Sequence, residues 1–269
     1  MIDPVLDLAE VPDRDRVVFA DVRYYLDGRH GRDAYDRGHL PGAVFVDVDR
    51  DLAAHGGPVT EGRHPLPDPE VFAARMSDLG VGDEDLVIAY DDSGGVMAAR
   101  LVWMLRATGH EAALLNGGLA AYPGDLVTES PGRTPAVFSA RPWPADRLAT
   151  IDEAADQRNT VVDARAPERF RGESEPIDPR AGHIPGARNV PCRDHLTADG
   201  AFKTADEVRR NFATAGVTTG EDVISYCGSG VTACHNLLAL EHAGLGVGRL
   251  YPGSWSAYSN TDRPAATEG

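Results

Sequence analysis

At 269 residues, with 42% hydrophobic and 25% charged side chains, the chain has a folded protein's composition and room for two ordinary domains. A net charge of −16 excludes the clustered basic surface that nucleic acid requires, and no apolar run approaches the roughly 20 residues that span a bilayer. The acidic start MIDPVLDLAEVPD lacks the basic and apolar segments of a signal peptide, so the expectation is a cytoplasmic protein without nucleic-acid or membrane partners.

In chain order, the first apolar run, VVFADVR, closes on Asp21-Val22-Arg23, and GHLPGA follows at 38–43. FVDVDR (45–50) reads as a strand on which Asp47 and Asp49 alternate, so only one of them faces any site. Asp68-Pro69 marks a helix start, with Asp as cap and Pro at the first helical position. LVIAYD and AALLNG are short, apolar and bounded by Gly, Asp or Asn, as buried strands are, and a helix over roughly 96–108 lies between them. Residues 123–146 are rich in Pro, Gly, Ser and Thr and read as an extended, solvated linker. The series then restarts. TVVDAR closes on Asp163-Ala164-Arg165, GHIPGA occupies 182–187, and helices over 205–215 and 231–243 alternate with the strands DVISYC and GRLYPG.

This restart is a duplication. GVGDEDLVIAYDD (80–92) aligns without gaps on GVTTGEDVISYCG (216–228), and NGGLAAY (116–122) aligns on PGSWSAY (252–258) at the same separation. The period is too long for a solenoid. The expected organisation is therefore a domain over 1–122, the linker, and a second domain over 147–269. Strands alternating with helices give an α/β class, each domain a parallel sheet covered by helices on both faces.

In such sheets ligands sit where a strand ends and a loop enters a helix. The second copy places Cys227-Gly228-Ser229-Gly230-Val231-Thr232 at that point. Two glycines let the loop curl so that N–H groups point inward, and the following helix turns its positive end toward the loop. Both effects favour a thiolate and stabilise an anionic persulfide. Other cysteine chemistries fail on spacing. A cysteine phosphatase needs an arginine six residues on, where this chain has Ala233. Cys227, Cys234 and His235 match no zinc spacing, and neither Cys234 nor Cys192 forms a C-x-x-C pair. The first copy carries Asp91 at the cysteine position, and aspartate cannot carry sulfur, so that domain is expected to be inactive.

The duplicated GH-[IL]-PGA, the DxR after an early strand, and CGSGVTAC followed by GSW together resemble the tandem-domain rhodanese family over essentially the whole chain. The uncharged loop CGSGVTA resembles its 3-mercaptopyruvate sulfurtransferase branch more than its thiosulfate branch. The resemblance implies a substrate-binding arginine four residues after the DxR arginine, which is Arg169. It also implies a second arginine after a Glu-Pro pair. Here Glu175-Pro176 is followed by Ile177, and Arg180 is the next arginine able to serve from a different loop register. An Asp–His–Ser relay maps onto Asp49, His64 and Ser229. His39 and His183 stand in the turns of both copies and read as structural.

The function expected is transfer of sulfur from a small anionic donor, 3-mercaptopyruvate, through a Cys227 persulfide. The acceptor is a thiol, with thioredoxin one candidate, or cyanide, and no metal or organic cofactor is needed. The loop segment Gly228, Gly230, Val231 and Thr232 is expected to line the substrate site. Thiosulfate on the same cysteine is the rival donor, and a noncatalytic sulfur-carrier or interaction module is the rival from another class.

Overall fold

The computed structural model describes residues 2–13 and 16–268. It divides into two compact units, each built on an all-parallel sheet. The first holds the chain up to Ala53, Pro67–Trp143 and Thr197–Phe202; the second holds Ala54–Leu66, Pro144–Leu196 and Lys203 onward.

In the first unit the strands are β1 (Val5–Leu6), β2 (Val17–Asp21), β3 (Val44–Phe45), β4 (Leu86–Tyr90) and β5 (Ala112–Leu115), in the order β1-β5-β4-β2-β3. The helices are α1 (Gly31–Arg37), α2 (Val48–Leu52), α3 (Pro69–Asp78) and α4 (Ala99–Ala107). Every residue of β4 is buried, as a central strand covered on both faces requires. Asp68 caps α3 by accepting the Glu70 N–H at 2.8 Å.

The second unit contains β6 (Thr160–Asp163), β7 (Arg188–Asn189), β8 (Val223–Tyr226) and β9 (Arg249–Leu250), ordered β7-β6-β8-β9. This repeats the β3-β2-β4-β5 arrangement. Its helices are α5 (Ile151–Ala155), α6 (Pro167–Phe170), α7 (Ala205–Thr214), α8 (Ala233–His242) and α9 (Ser254–Tyr258). The expected α/β class with two parallel sheets is borne out.

The duplicated motifs form equivalent locks. In the first unit Arg23 grips Asp21 through Nε and Nη2 and donates to the Gly38 carbonyl at 2.8 Å. In the second, Arg165 grips Asp163 and donates to the Gly182 carbonyl at 2.7 Å. Burial of such charges is tolerated because each is paired and hydrogen-bonded. His39 stacks on Tyr35 and His183 on Phe170, with ring centroids 3.6 and 3.7 Å apart. Each of these histidines sets Nδ1 2.8 Å from a main-chain carbonyl, in keeping with a structural role in both copies.

One segment differs from the sequence expectation. FVDVDR is not a continuous strand: β3 stops at Phe45, and Asp47 caps α2 by accepting the Arg50 N–H at 3.0 Å. Asp51 accepts the Asp47 N–H in return, so local capping overrides the alternating pattern, and Asp49 lies in the first turn of a helix. Residues 123–143 are extended and mostly exposed, with a few of them anchored on the first unit. Val127 exchanges two hydrogen bonds with His39, Asp83 accepts from Ser139, and Phe138 stacks on His110. One buried aromatic, Phe138, and several main-chain partners tie down this Pro-rich stretch of chain.

Candidate functional site

β8 delivers Cys227 to the carboxyl end of its sheet, where the thiol is almost wholly buried. Gly230 donates its N–H to Cys227 Sγ at 3.1 Å. That geometry needs φ of +78° at Gly230, and a Cβ there would lie 2.5 Å from the Pro252 carbonyl oxygen. Only glycine fits. The main chain of Cys227 is fixed from the other side. Trp255 donates to the Cys227 carbonyl at 2.9 Å, Ser256 donates to the Gly228 carbonyl at 2.8 Å, and Cys227 donates its N–H to Ser254 Oγ at 3.1 Å. Ser254 is the one non-glycine with positive φ (+52°) among the described residues, and such strain persists where the surroundings over-determine it.

Ser229 Oγ lies 2.7 Å from His64 Nδ1, although 165 residues separate them, because the 54–66 segment belongs to the second unit. A hydroxyl and an imidazole at this distance form a proton path. Asp49 lies in the first unit, on α2.

Arg169 projects from the short helix α6. Its Nη2 donates to Glu175 at 2.6 Å and to Asp178 at 3.3 Å, while Nη1 comes within 3.5 Å of where a Cβ on Gly228 would stand. Arg180 is engaged elsewhere in this structure. Its guanidinium donates to the carbonyls of Ser259, Arg263 and Tyr258 at 2.8–3.0 Å, which ties the chain end after α9. The place beside Gly228 is taken by Arg63, whose Nη2 lies 3.2 Å from the same Cβ position and whose Nη1 is hydrogen-bonded to Asp178. Arg63, Asp178 and Ser254 were not singled out from the sequence. Arg63 had one signal, its place directly before His64 in RHPLP, and Ser254 another, its alignment with Gly118. A cleft of about 320 Å³, lined in part by Arg63, Ile177, Asp178 and Asn260, opens beside the arginine pair.

Val231 is buried and Thr232 half-buried at the entry to α8. Cys192 is also buried, and desolvation pushes its thiol up to about 12, with the charge of a Cys227 thiolate a further cause. Cys234 donates to the Gly230 carbonyl at 3.4 Å, which supports the loop from beneath. Among the described residues no cluster of His, Cys, Asp or Glu suits a metal ion, and no helix is long and apolar enough to cross a membrane.

Comparison with known proteins also finds two domains. The family model for the rhodanese-like domain matches twice, over residues 5–124 and 145–261. A probable 3-mercaptopyruvate sulfurtransferase from Pseudomonas aeruginosa is 41% identical over 263 residues, covering 92% of this chain and 91% of the relative. A putative thiosulfate sulfurtransferase from Mycobacterium tuberculosis is 38% identical over 254 residues, covering 91% and 89%. The structure of a 3-mercaptopyruvate sulfurtransferase from Leishmania major superposes with a TM-score of 0.86 at 35% identity, covering 97% of this chain and 75% of that one.

Proposed function

Because the chain belongs to the rhodanese family and is a sulfurtransferase, we propose that Cys227 is its nucleophile and carries the sulfur as a persulfide, with 3-mercaptopyruvate as donor. The observation that carries this reading is the Gly230 N–H aimed at Cys227 Sγ, with Ser229 and His64 hydrogen-bonded alongside.

The Cys227 thiolate attacks the donor's sulfur, forming an S–S bond as the C–S bond breaks. The electron pair of that bond passes to carbon and leaves the enolate of pyruvate. A proton delivered through Ser229 and His64 converts the enolate to pyruvate, and the donor's S–H proton stays on the outer sulfur. An acceptor thiolate then takes that sulfur and returns Cys227 as thiolate. Arg63 and Arg169 bind the donor's carboxylate through the nitrogens that face Gly228, by charge-assisted hydrogen bonds. Thioredoxin, with its reactive dithiol, is a suitable acceptor. Three free thiols suit a reducing compartment, and we place the protein in the cytoplasm.

Thiosulfate is the second reading, favoured by the presence of two guanidinium groups rather than one beside the loop. Intact-mass measurement after donor treatment tests the mechanism. One added sulfur is expected, mapping to Cys227 and released by a thiol; a label on Cys192 or Cys234 would overturn the assignment. Comparing kcat/KM for the two donors decides between them.

A further inference from the structure

The two arginines that flank the Cys227 loop are not unopposed. Arg63 Nη1 and Arg169 Nη2 are both hydrogen-bonded to Asp178, one to each carboxylate oxygen, and the Asp178 side chain is only 2% exposed. Glu175 holds Arg169 from the same side and also accepts from Arg165, which is itself paired with Asp163. Three arginines and three carboxylates thus form one connected cluster with no net formal charge. Asp178 is fixed in this position by its own N–H, which donates to Glu175 Oε1 at 3.1 Å. Burial pushes the Asp178 carboxyl upward, against the pull of Arg63, so its charge is held there against a desolvation penalty. A carboxylate retained under that penalty, across the back of an anion-binding pair, calls for a reason.

We propose that Asp178 is a specificity-determining residue that sets the charge of the donor subsite, matching it to a monoanionic carboxylate and against a dianion. The proposal rests on the reading of Arg63 and Arg169 as the donor's partners. With Asp178 in place, each guanidinium keeps one nitrogen toward Gly228 while the other is already satisfied by an acid. A donor bearing one negative charge and two oxygens uses the two outward nitrogens and leaves the cluster singly negative. A dianion such as thiosulfate would leave two uncompensated charges beside the buried Asp178 carboxylate, and like charges a few ångströms apart repel.

The test is Asp178→Asn, which keeps the shape and one of the two acceptor oxygens while removing the charge. The ratio of kcat/KM for thiosulfate to that for 3-mercaptopyruvate is expected to rise about tenfold, mainly through a lower KM for thiosulfate. An unchanged ratio in a variant that still melts cooperatively would overturn the proposal. If the variant does not fold, the wild-type protein answers instead: pyruvate should compete with the donor more tightly than sulfate, and tighter competition by sulfate would overturn it. The mass measurement on Cys227 separates the two levels. Sulfur loading with an unchanged ratio refutes the role of Asp178 alone, whereas no loading refutes the reading on which it stands.

Discussion

The loops after β4 and β8 occupy equivalent places in two equivalent sheets, yet they treat an anion in opposite ways. In the first unit Asp91 Oδ1 accepts from the N–H groups of Ser93 and Gly95, and Oδ2 from those of Met97 and Ala98, all at 2.8–3.0 Å. The cradle at the head of α4 is filled by a carboxylate that cannot leave. In the second unit Cys227 Sγ takes one N–H, from Gly230, and the rest of the loop supplies no fixed carboxylate. The comparison teaches that the duplicated loop turns its N–H groups inward in both units, onto a carboxylate in one and onto a sulfur in the other. A permanent anion makes it a structural cap, and a cysteine leaves it open to the sulfur chemistry proposed above. The flanking charges follow suit. Four residues after the DxR arginine stands Arg169 in one unit and Asp27 in the other.

The largest effect is expected from exchanging the two loop residues. Cys227→Ser should lower turnover at least a thousandfold, roughly what loss of a nucleophile removes, and adding Asp91→Cys should not restore it. Sulfur transfer by the double variant would break the comparison, since it would mean the first unit needs only a thiol. Next, Ser229→Ala and His64→Ala should each lower kcat with 3-mercaptopyruvate by about a hundredfold, and less with thiosulfate, whose sulfite leaving group makes little demand on a proton. Equal losses with both donors would argue against the relay.

Asp91→Ala should act on stability rather than chemistry. It strips four N–H groups of their partner, and a loss of about 3 kcal/mol is expected by denaturant titration. Cys227 should still load sulfur; failure to do so in a folded variant would tie the two loops together functionally. The smallest effect belongs to Cys192→Ala. A thiol pushed up to about 12 stays protonated at assay pH, so kcat/KM should change by no more than about twofold. A loss of tenfold or more would give that cysteine a part in the reaction.

Much of this was legible in the chain because it is local. Repeated GH-x-PGA and DxR motifs announced the duplication, and the Cys-Gly-x-Gly run announced a curled loop between a strand and a helix, which is what β8 and α8 enclose. Asp91 stood at the aligned cysteine position. The pairing of Arg63 and Arg169 about Asp178 was not legible. Arg63 and Asp178 are 115 residues apart, and they meet only because the 54–66 segment packs into the second unit, an event no local pattern encodes. Arg180 carried the right chemistry at nearly the right place in sequence. Three chain-end carbonyls outcompete the loop for its donors. Asp47 and Asp49 misled for a different reason, since an alternating apolar–acidic run reads as strand until one aspartate caps a helix.

Ser254 inverts the usual ranking of small substitutions. Gly118 holds the aligned position in the first unit with φ of +57°, so the backbone there is one that glycine adopts freely and a side chain adopts under strain of about 1 kcal/mol. Ser254→Gly would lose the hydroxyl that receives the Cys227 N–H but release the strain, whereas Ser254→Ala would lose the hydroxyl and keep the strain. Alanine, normally the milder replacement, is the harsher one here. Because serine and alanine carry the same backbone strain, it cancels between them, so alanine is the reference that isolates what the oxygen contributes to holding the Cys227 main chain, whereas glycine folds the released strain into the same number.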